Sequence, residues 1–137
     1  MIREQISKIR QKIYNLAKER YRLEGILMRT GYLNSGSLVL RYMSCGKASC
    51  KCSKGKQYRH GPYPYLTYVE KGQIKVRYVG KEELPIVEEG AKRYIIFHKG
   101  MARIRAINKE ILKLLEQIKK YRVEEQEKIR KEALKKR

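Results

Sequence analysis

Aliphatic side chains in the first 28 residues fall at Ile2, Ile6, Ile9, Ile13, Leu16, Leu23 and Leu27, in steps that alternate four and three. Arg20 fills the one missing position of that stripe. A 3.5-residue repeat of this length lays an apolar seam along one side of a helix, which predicts a coiled coil. Gly31, just after Thr30, predicts a left-handed stop. The rhythm returns near the other end, at Phe97, Met101, Ile104, Asn108, Ile111, Leu115 and Ile118. Asn108 on that seam is either a buried polar group that fixes register and strand number or a half-wet edge residue. Past Ile118, Arg122 and Glu125 break the stripe. The last turns are then a solvated helix, supported weakly by pairs such as Glu127–Lys131 and Glu132–Lys136, or a tail that orders on a partner.

Between the stripes the text changes period. "NSGS" (34–37) reads as a turn and "SLVLRYM" (37–43) as a strand. "YPYLTYV" (63–69) and "IKVRYV" (74–79), joined by "EKGQ", read as a hairpin around Lys-Gly. Ile74, Val76 and Tyr78 alternate with Lys75 and Arg77, which predicts one packed face and one basic face. Three short strands are not stable alone, and with one Phe and no Trp the chain cannot build a thick core around them.

The fold class expected is therefore α+β, mostly α. Two long antiparallel coiled-coil-like helices flank a small three-stranded antiparallel β module stapled by zinc. Residues 1–33 form the first helix, 34–81 the β module and 82–137 the long second helix with a basic tail, one domain in all. The second helix is the longer, so its overhang offers a route to a homodimer.

Charge sets the partner class. The chain has 34 Lys or Arg against 14 acids, all of them Glu, for a formal +20. Residues 34–81 carry ten bases and only Glu70, so the middle third is the least compensated. Such a surplus repels itself unless a polyanion screens it. The chain has no run of 18 apolar residues and its start lacks a signal-peptide core, so no membrane role and a cytoplasmic location, nucleoid- or ribosome-associated, are expected. Heavy Lys and Glu use with few Asn suits a hyperthermophile.

"CGKASCKCSKGKQYRHGPYPY" (45–65) is the segment least like packing. Three cysteines in a cytoplasmic chain favour metal ligation or free thiols over a disulfide framework. Cys45, Cys50, Cys52 and His60 supply the thiolates and imidazole that zinc prefers, and four such ligands close a structural site with no open position for catalysis. One structural Zn2+ per chain would staple the small sheet. The plainer alternative makes Cys45 and Cys50 small core residues or a disulfide, with His60 only opening a turn. An iron–sulfur centre is a third reading, and His98 a less suitable fourth ligand than His60. Held in this way, the loop would offer Lys47, Lys51, Lys54, Lys56 and Arg59 to phosphates, with Tyr58, Tyr63 and Tyr65 alongside, and Lys75 and Arg77 from the hairpin. Against this, at least two of Tyr63, Tyr65 and Tyr68 read as strand residues that simply cover a thin sheet.

The string "GSLVLRY..CGK..C.C.......HGPY.YL" followed by "G...VRYV" resembles an uncharacterised family of small basic proteins from archaea, bacteria and mobile elements, some labelled transposase-like. The resemblance spans roughly residues 36 to 118 and implies the same order of elements and a cluster at Cys45, Cys50, Cys52 and His60. It implies no activity.

The function expected is a non-catalytic, zinc-stabilised nucleic-acid-binding protein. Double-stranded DNA gripped through its phosphates is favoured; its sequence specificity is expected to be low, because no helix has the polar and basic face of a major-groove reader. Structured RNA or the ribosome is the alternative. A nuclease or transposase fragment is disfavoured: metal-dependent phosphoryl transfer wants clustered carboxylates, and the chain has no Asp. A pure coiled-coil scaffold would not need +20, since solubility is served by roughly 2 to 8 charges.

Overall fold

The computed structural model describes residues 1–136, and the elements run α1 (Ile2–Met28), β1 (Ser37–Met43), β2 (His60–Glu70), β3 (Gln73–Tyr78) and α2 (Leu84–Lys135). Two helices and a three-stranded antiparallel sheet are thus in place. The chain divides into two compact units, one of Met1–Thr30 with the chain from His98 on, the other Gly31–Phe97. The sheet unit therefore reaches past residue 81 and takes in the first turns of α2.

In the helical unit, the stripe of α1 is the covered side. Ile6, Ile9 and Leu27 are buried, and Ile2, Ile13, Leu16, Arg20 and Leu23 are half-buried. Its partner is the later part of α2, running in the opposite direction: Leu27 lies against Gly100 at one end, while Ile6 shares a surface hollow with Arg122 and Glu125 at the other. The covered face of α2 is offset from the expected seam. Ile104, Ile111 and Ile118 lie on it, but the alternate positions are Gly100, Ile107 and Leu114. Ile107 is 0% exposed, whereas Met101, Asn108 and Leu115 face solvent. Asn108 is thus an edge residue, its Oδ1 accepting a hydrogen bond from Arg20 Nη1 at 2.8 Å. Arg20 keeps its stem half in the seam and sends its head out to Asn108 and, at 3.6 Å, to Glu24.

The end of α1 differs from the glycine stop expected. Arg29 remains right-handed, and Thr30 satisfies the last turn by donating its hydroxyl to the Ile26 carbonyl at 3.1 Å. The tail of α2 is helical to Lys135 with residues 126–134 exposed. Its charge pairs are Glu116–Lys119, Arg122–Glu125 and Glu124–Lys128 rather than Glu127–Lys131 or Glu132–Lys136. Among the described residues no helix is long and apolar enough to cross a membrane.

In the sheet unit, β2 is central, in the order β1-β2-β3. Leu38 pairs with Leu66, Tyr65 with Tyr78, and Glu70 with Gln73 across a Lys71-Gly72 turn. Both turn residues have positive φ (52° and 78°), the mirror-image turn that matches strand twist and that glycine makes cheap at its second place. The register assigns two faces. Leu38, Leu66, Tyr68 and Val79 lie on one, and Leu66, Val79 and Val87 form the core there with Leu84 of α2 alongside. Val39, Arg41, Tyr63, Tyr65, Thr67, Ile74, Val76 and Tyr78 lie on the other.

That assignment reverses the face polarity expected for β3. Ile74 is 76% exposed and Tyr78 53%, so the apolar side of this strand is the open one. Lys75 and Arg77 share the packed side and are drawn into ion pairs, with Glu70 at 3.4 Å and Glu83 at 2.7 Å. The alternation correctly announced two faces. Which face is covered depends on Leu84 and Val87, outside the strand itself.

Candidate metal centre

The loop between β1 and β2 is wound from short turns. Cys50 N–H donates to the Lys47 carbonyl at 3.1 Å, Ser53 N–H to that of Cys50 at 3.1 Å, and Tyr58 N–H to that of Gly55 at 3.2 Å. Single 3-10 turns follow at Lys51–Lys54 and Lys56–Tyr58. Ser53 ties the coil by donating its hydroxyl to the Cys50 carbonyl at 2.8 Å. Gly46, at φ 79°, turns the chain after Cys45. The two ends meet because the ladder skips a register after Arg41 and pairs Met43 with His60. Strand pairing thereby delivers His60 beside Cys45, and the coil folds Cys50 and Cys52 back onto both.

The result is one cluster. The ligand atoms of Cys45, Cys50, Cys52 and His60 all lie within 4.8 Å of one another. Cys45 Sγ is 3.5 Å from Cys52 Sγ, and Cys50 Sγ is 3.3 Å from His60 Nε2. A tetrahedral ion with metal–sulfur bonds near 2.3 Å and metal–nitrogen bonds near 2.0 Å separates its ligands by roughly 3.5 to 3.8 Å. The donor set and the spacing fit such an ion, and the four residues can hold one metal. A disulfide needs about 2.05 Å between sulfurs, and all three cysteines are free. Among the described residues, this is the group placed to hold a metal, and His98 is not part of it.

The backbone prepares the sulfurs for this. Cys52, 5% exposed, receives the Cys45 N–H at 3.4 Å and lies 3.7 Å from the Ser44 hydroxyl. The Cys45 N–H is the main reason its thiol titrates at about 6, burial opposing and the Ser44 hydroxyl and neighbouring thiols assisting. Cys50 goes the other way. A backbone hydrogen bond at Cys52 pulls it down, but the shared protons of the Cys52 and Cys45 thiols, burial and the Cys45 charge together raise it. Three sulfurs this close cannot all be thiolates unless a cation sits among them.

Around the cluster, the basic residues separate into two sets. Among the described residues no carboxylate lies within ion-pairing distance of Lys47, Lys51, Lys54, Lys56 or Arg59. Lys51 instead lies over the Tyr58 ring, 4.7 Å from its centre. Lys75 and Arg77, expected beside them, are the ion-paired residues of the packed face. Tyr63 lies on the open sheet face, where it was expected to be accessible, and Tyr68 packs against the core. Sequence reading passed over Arg41 and Tyr78, which join Tyr63 and Tyr65 on that open face. Counting strand parity outward from buried Leu66 would have found them.

A family described as a domain of unknown function (DUF6788) matches residues 2–89. The chain belongs to this family. The DUF6788 match takes in α1, all three strands, the Cys-His loop and the first turns of α2. It begins earlier and ends sooner than the 36 to 118 expected from the motif string, and leaves most of α2 outside. No curated protein and no solved structure matches the chain.

Proposed function

We propose that this protein is a non-catalytic, zinc-stabilised nucleic-acid-binding protein that grips phosphates with the loop between β1 and β2. The observation that carries the reading is that five unpaired cations, Lys47, Lys51, Lys54, Lys56 and Arg59, surround one Cys3His cluster. They sit within a stretch, residues 25–69, that contains no acid. Zinc is the metal of choice because three thiolates and an imidazole are its usual closed structural set, whereas magnesium and calcium demand oxygen. With four protein ligands the ion would have no vacancy for water, so its contribution is to hold shape. It would also lock the three sulfurs as thiolates and leave the lysines facing outward.

The helical unit is a separate element of this picture. The two striped helices form an antiparallel, coiled-coil-like pair. The exposed continuation of α2 adds further cations and a surface through which two copies can associate. Nothing in the cluster supplies the carboxylates that phosphoryl transfer requires.

The test is fluorescence anisotropy of a labelled oligonucleotide, single-stranded and duplex, against salt. Five phosphate contacts predict a loss of about 500-fold on a duplex between 50 and 200 mM salt, or about 130-fold on a single strand. Affinity indifferent to salt, or none for either form, would end this reading.

A further inference from the structure

We infer that the open face of the sheet is a stacking platform for unpaired bases, so that the nucleic acid this protein prefers is single-stranded. The inference rests on the phosphate-binding reading above and names its substrate class. The sequence favoured duplex DNA as the target; the register of the sheet points elsewhere.

The face holds Tyr63 and Tyr65 on β2, Tyr78 on β3 and Arg41 on β1, in one cluster. Tyr65 is directly opposite Tyr78, and Arg41 is directly opposite Tyr63. The Tyr65 and Tyr78 rings meet edge to face, with centres 5.7 Å apart and planes at 71°. The Arg41 guanidinium lies 5.3 Å from the centre of the Tyr65 ring. Tyr65 is pinned further by its hydroxyl, which donates to Met43 Sδ at 3.2 Å. One aromatic is thus held in place while Tyr78 and Tyr63 keep ring surface open to solvent. Ile74 and Val76 extend the apolar area toward the turn.

A thin sheet gains nothing by exposing rings and β-branched side chains to water unless something covers them. The charges say what does. Every residue of this face is neutral except Arg41, and no carboxylate lies on it. The five unpaired cations of the loop sit at the same end as Arg41 and Tyr63, where β1 leaves the sheet and β2 enters it. A second copy would bring the same uncompensated cations against these and be repelled. A polyanion with flat apolar groups fits both halves, backbone on the cations and bases on the tyrosines. Duplex DNA hides its base faces and can use only the cations.

The experiment uses the full zinc-loaded chain and three labelled ligands of equal length: oligo-dT, the same strand with abasic residues throughout, and a duplex. An oligo-rU arm separates DNA from RNA as the source of the strand, and stronger binding of either supports the inference. Oligo-dT should bind at least about fivefold tighter than the abasic strand, and up to about 150-fold for each base well stacked. The chain has 11 Tyr and no Trp, so tyrosine emission reports stacking directly. It should be quenched by oligo-dT and not by the abasic strand. Tyr78→Ala and Tyr63→Ala should lower oligo-dT affinity toward the abasic value without changing the abasic affinity, and Tyr78→Phe should restore it. If a variant fails to fold, the comparison of ligands on the wild type decides alone. Equal, salt-dependent binding of oligo-dT and the abasic strand, or tighter binding of the duplex, overturns the platform and leaves the phosphate reading standing. No binding to any ligand removes both.

Discussion

Cys52 is where the fold and the proposed chemistry meet in one side chain. It is buried, its sulfur already receives the Cys45 N–H, and it touches Cys45 Sγ. If the cluster holds zinc as proposed, replacing Cys52 with Ser removes one of four ligands. Metal analysis should return about one zinc per wild-type chain and far less for Cys52→Ser. The variant should lose β-structure in the circular dichroism spectrum while its helical signal persists. A variant that keeps its zinc would show that the cluster binds no metal through this sulfur. A second prediction concerns Glu19, whose carboxyl is bridged by Arg103, with Nη2 donating to Oε1 at 2.8 Å and Nε to Oε2. The Arg103 hydrogen bonds hold that carboxyl below its ordinary value, against a smaller effect of burial. A group depressed on folding stabilises above its unfolded pKa, about 4.3, and loses that contribution as pH falls through the lower folded value. Thermal melts of the wild type and Glu19→Gln should therefore separate above about pH 5, with the wild type higher, and converge in acid. Parallel melting curves at every pH would mean the bridge contributes nothing.

At the scale of elements, the two helices were legible to different degrees. The α1 stripe read from Ile2 to Leu27 is the side that is covered, position for position. In α2 the shared positions Ile104, Ile111 and Ile118 were right, and the intervening ones slipped by one residue. The cause is Gly100. A hydrophobic pattern skips a glycine and takes Met101, but a Cβ at position 100 would come within 2.9 Å of Leu27 Cδ2, so the glycine is what lets Leu27 pack. Ile107 and Leu114 follow from it. The offset has a measurable consequence. Ile107→Ala should cost about 2–5 kcal/mol in denaturant unfolding, as for a fully buried aliphatic residue. Asn108→Ala should cost less than about 1 kcal/mol. The reverse order would restore the seam through Asn108. The hairpin was also legible, because Lys71-Gly72 demands its turn. Its polarity was not. Both sides of β3 carry apolar atoms, and only the start of α2, through Leu84 and Val87, selects the side of Leu66 and Val79 for burial.

Across the whole molecule, sequence and structure agree on where the charge goes uncompensated. Glutamates are plentiful in the helices and the turn before α2, where Glu19, Glu83 and Glu89 take up Arg103, Arg77 and Arg93. They are missing from residues 25–69, the stretch that holds the loop lysines and the four side chains that could hold a metal. That Cys45, Cys50, Cys52 and His60 would come together could be read from residue type and spacing, since zinc prefers such a donor set. The tyrosine face could not, because it exists only once the register sets Tyr65 opposite Tyr78 and α2 covers the other side. Together they give a sheet whose one end is cationic and whose open side is aromatic.

The central claim is that a bound ion holds this cationic loop in the shape that grips phosphate, and one titration tests it directly. Oligonucleotide anisotropy is measured at fixed salt with the zinc-loaded protein, after the metal is stripped, and after zinc is returned. The account predicts that stripping weakens binding at least about tenfold, because a loop that must order itself on binding gives up affinity, and that zinc restores it. Equal affinity with and without the metal would contradict it.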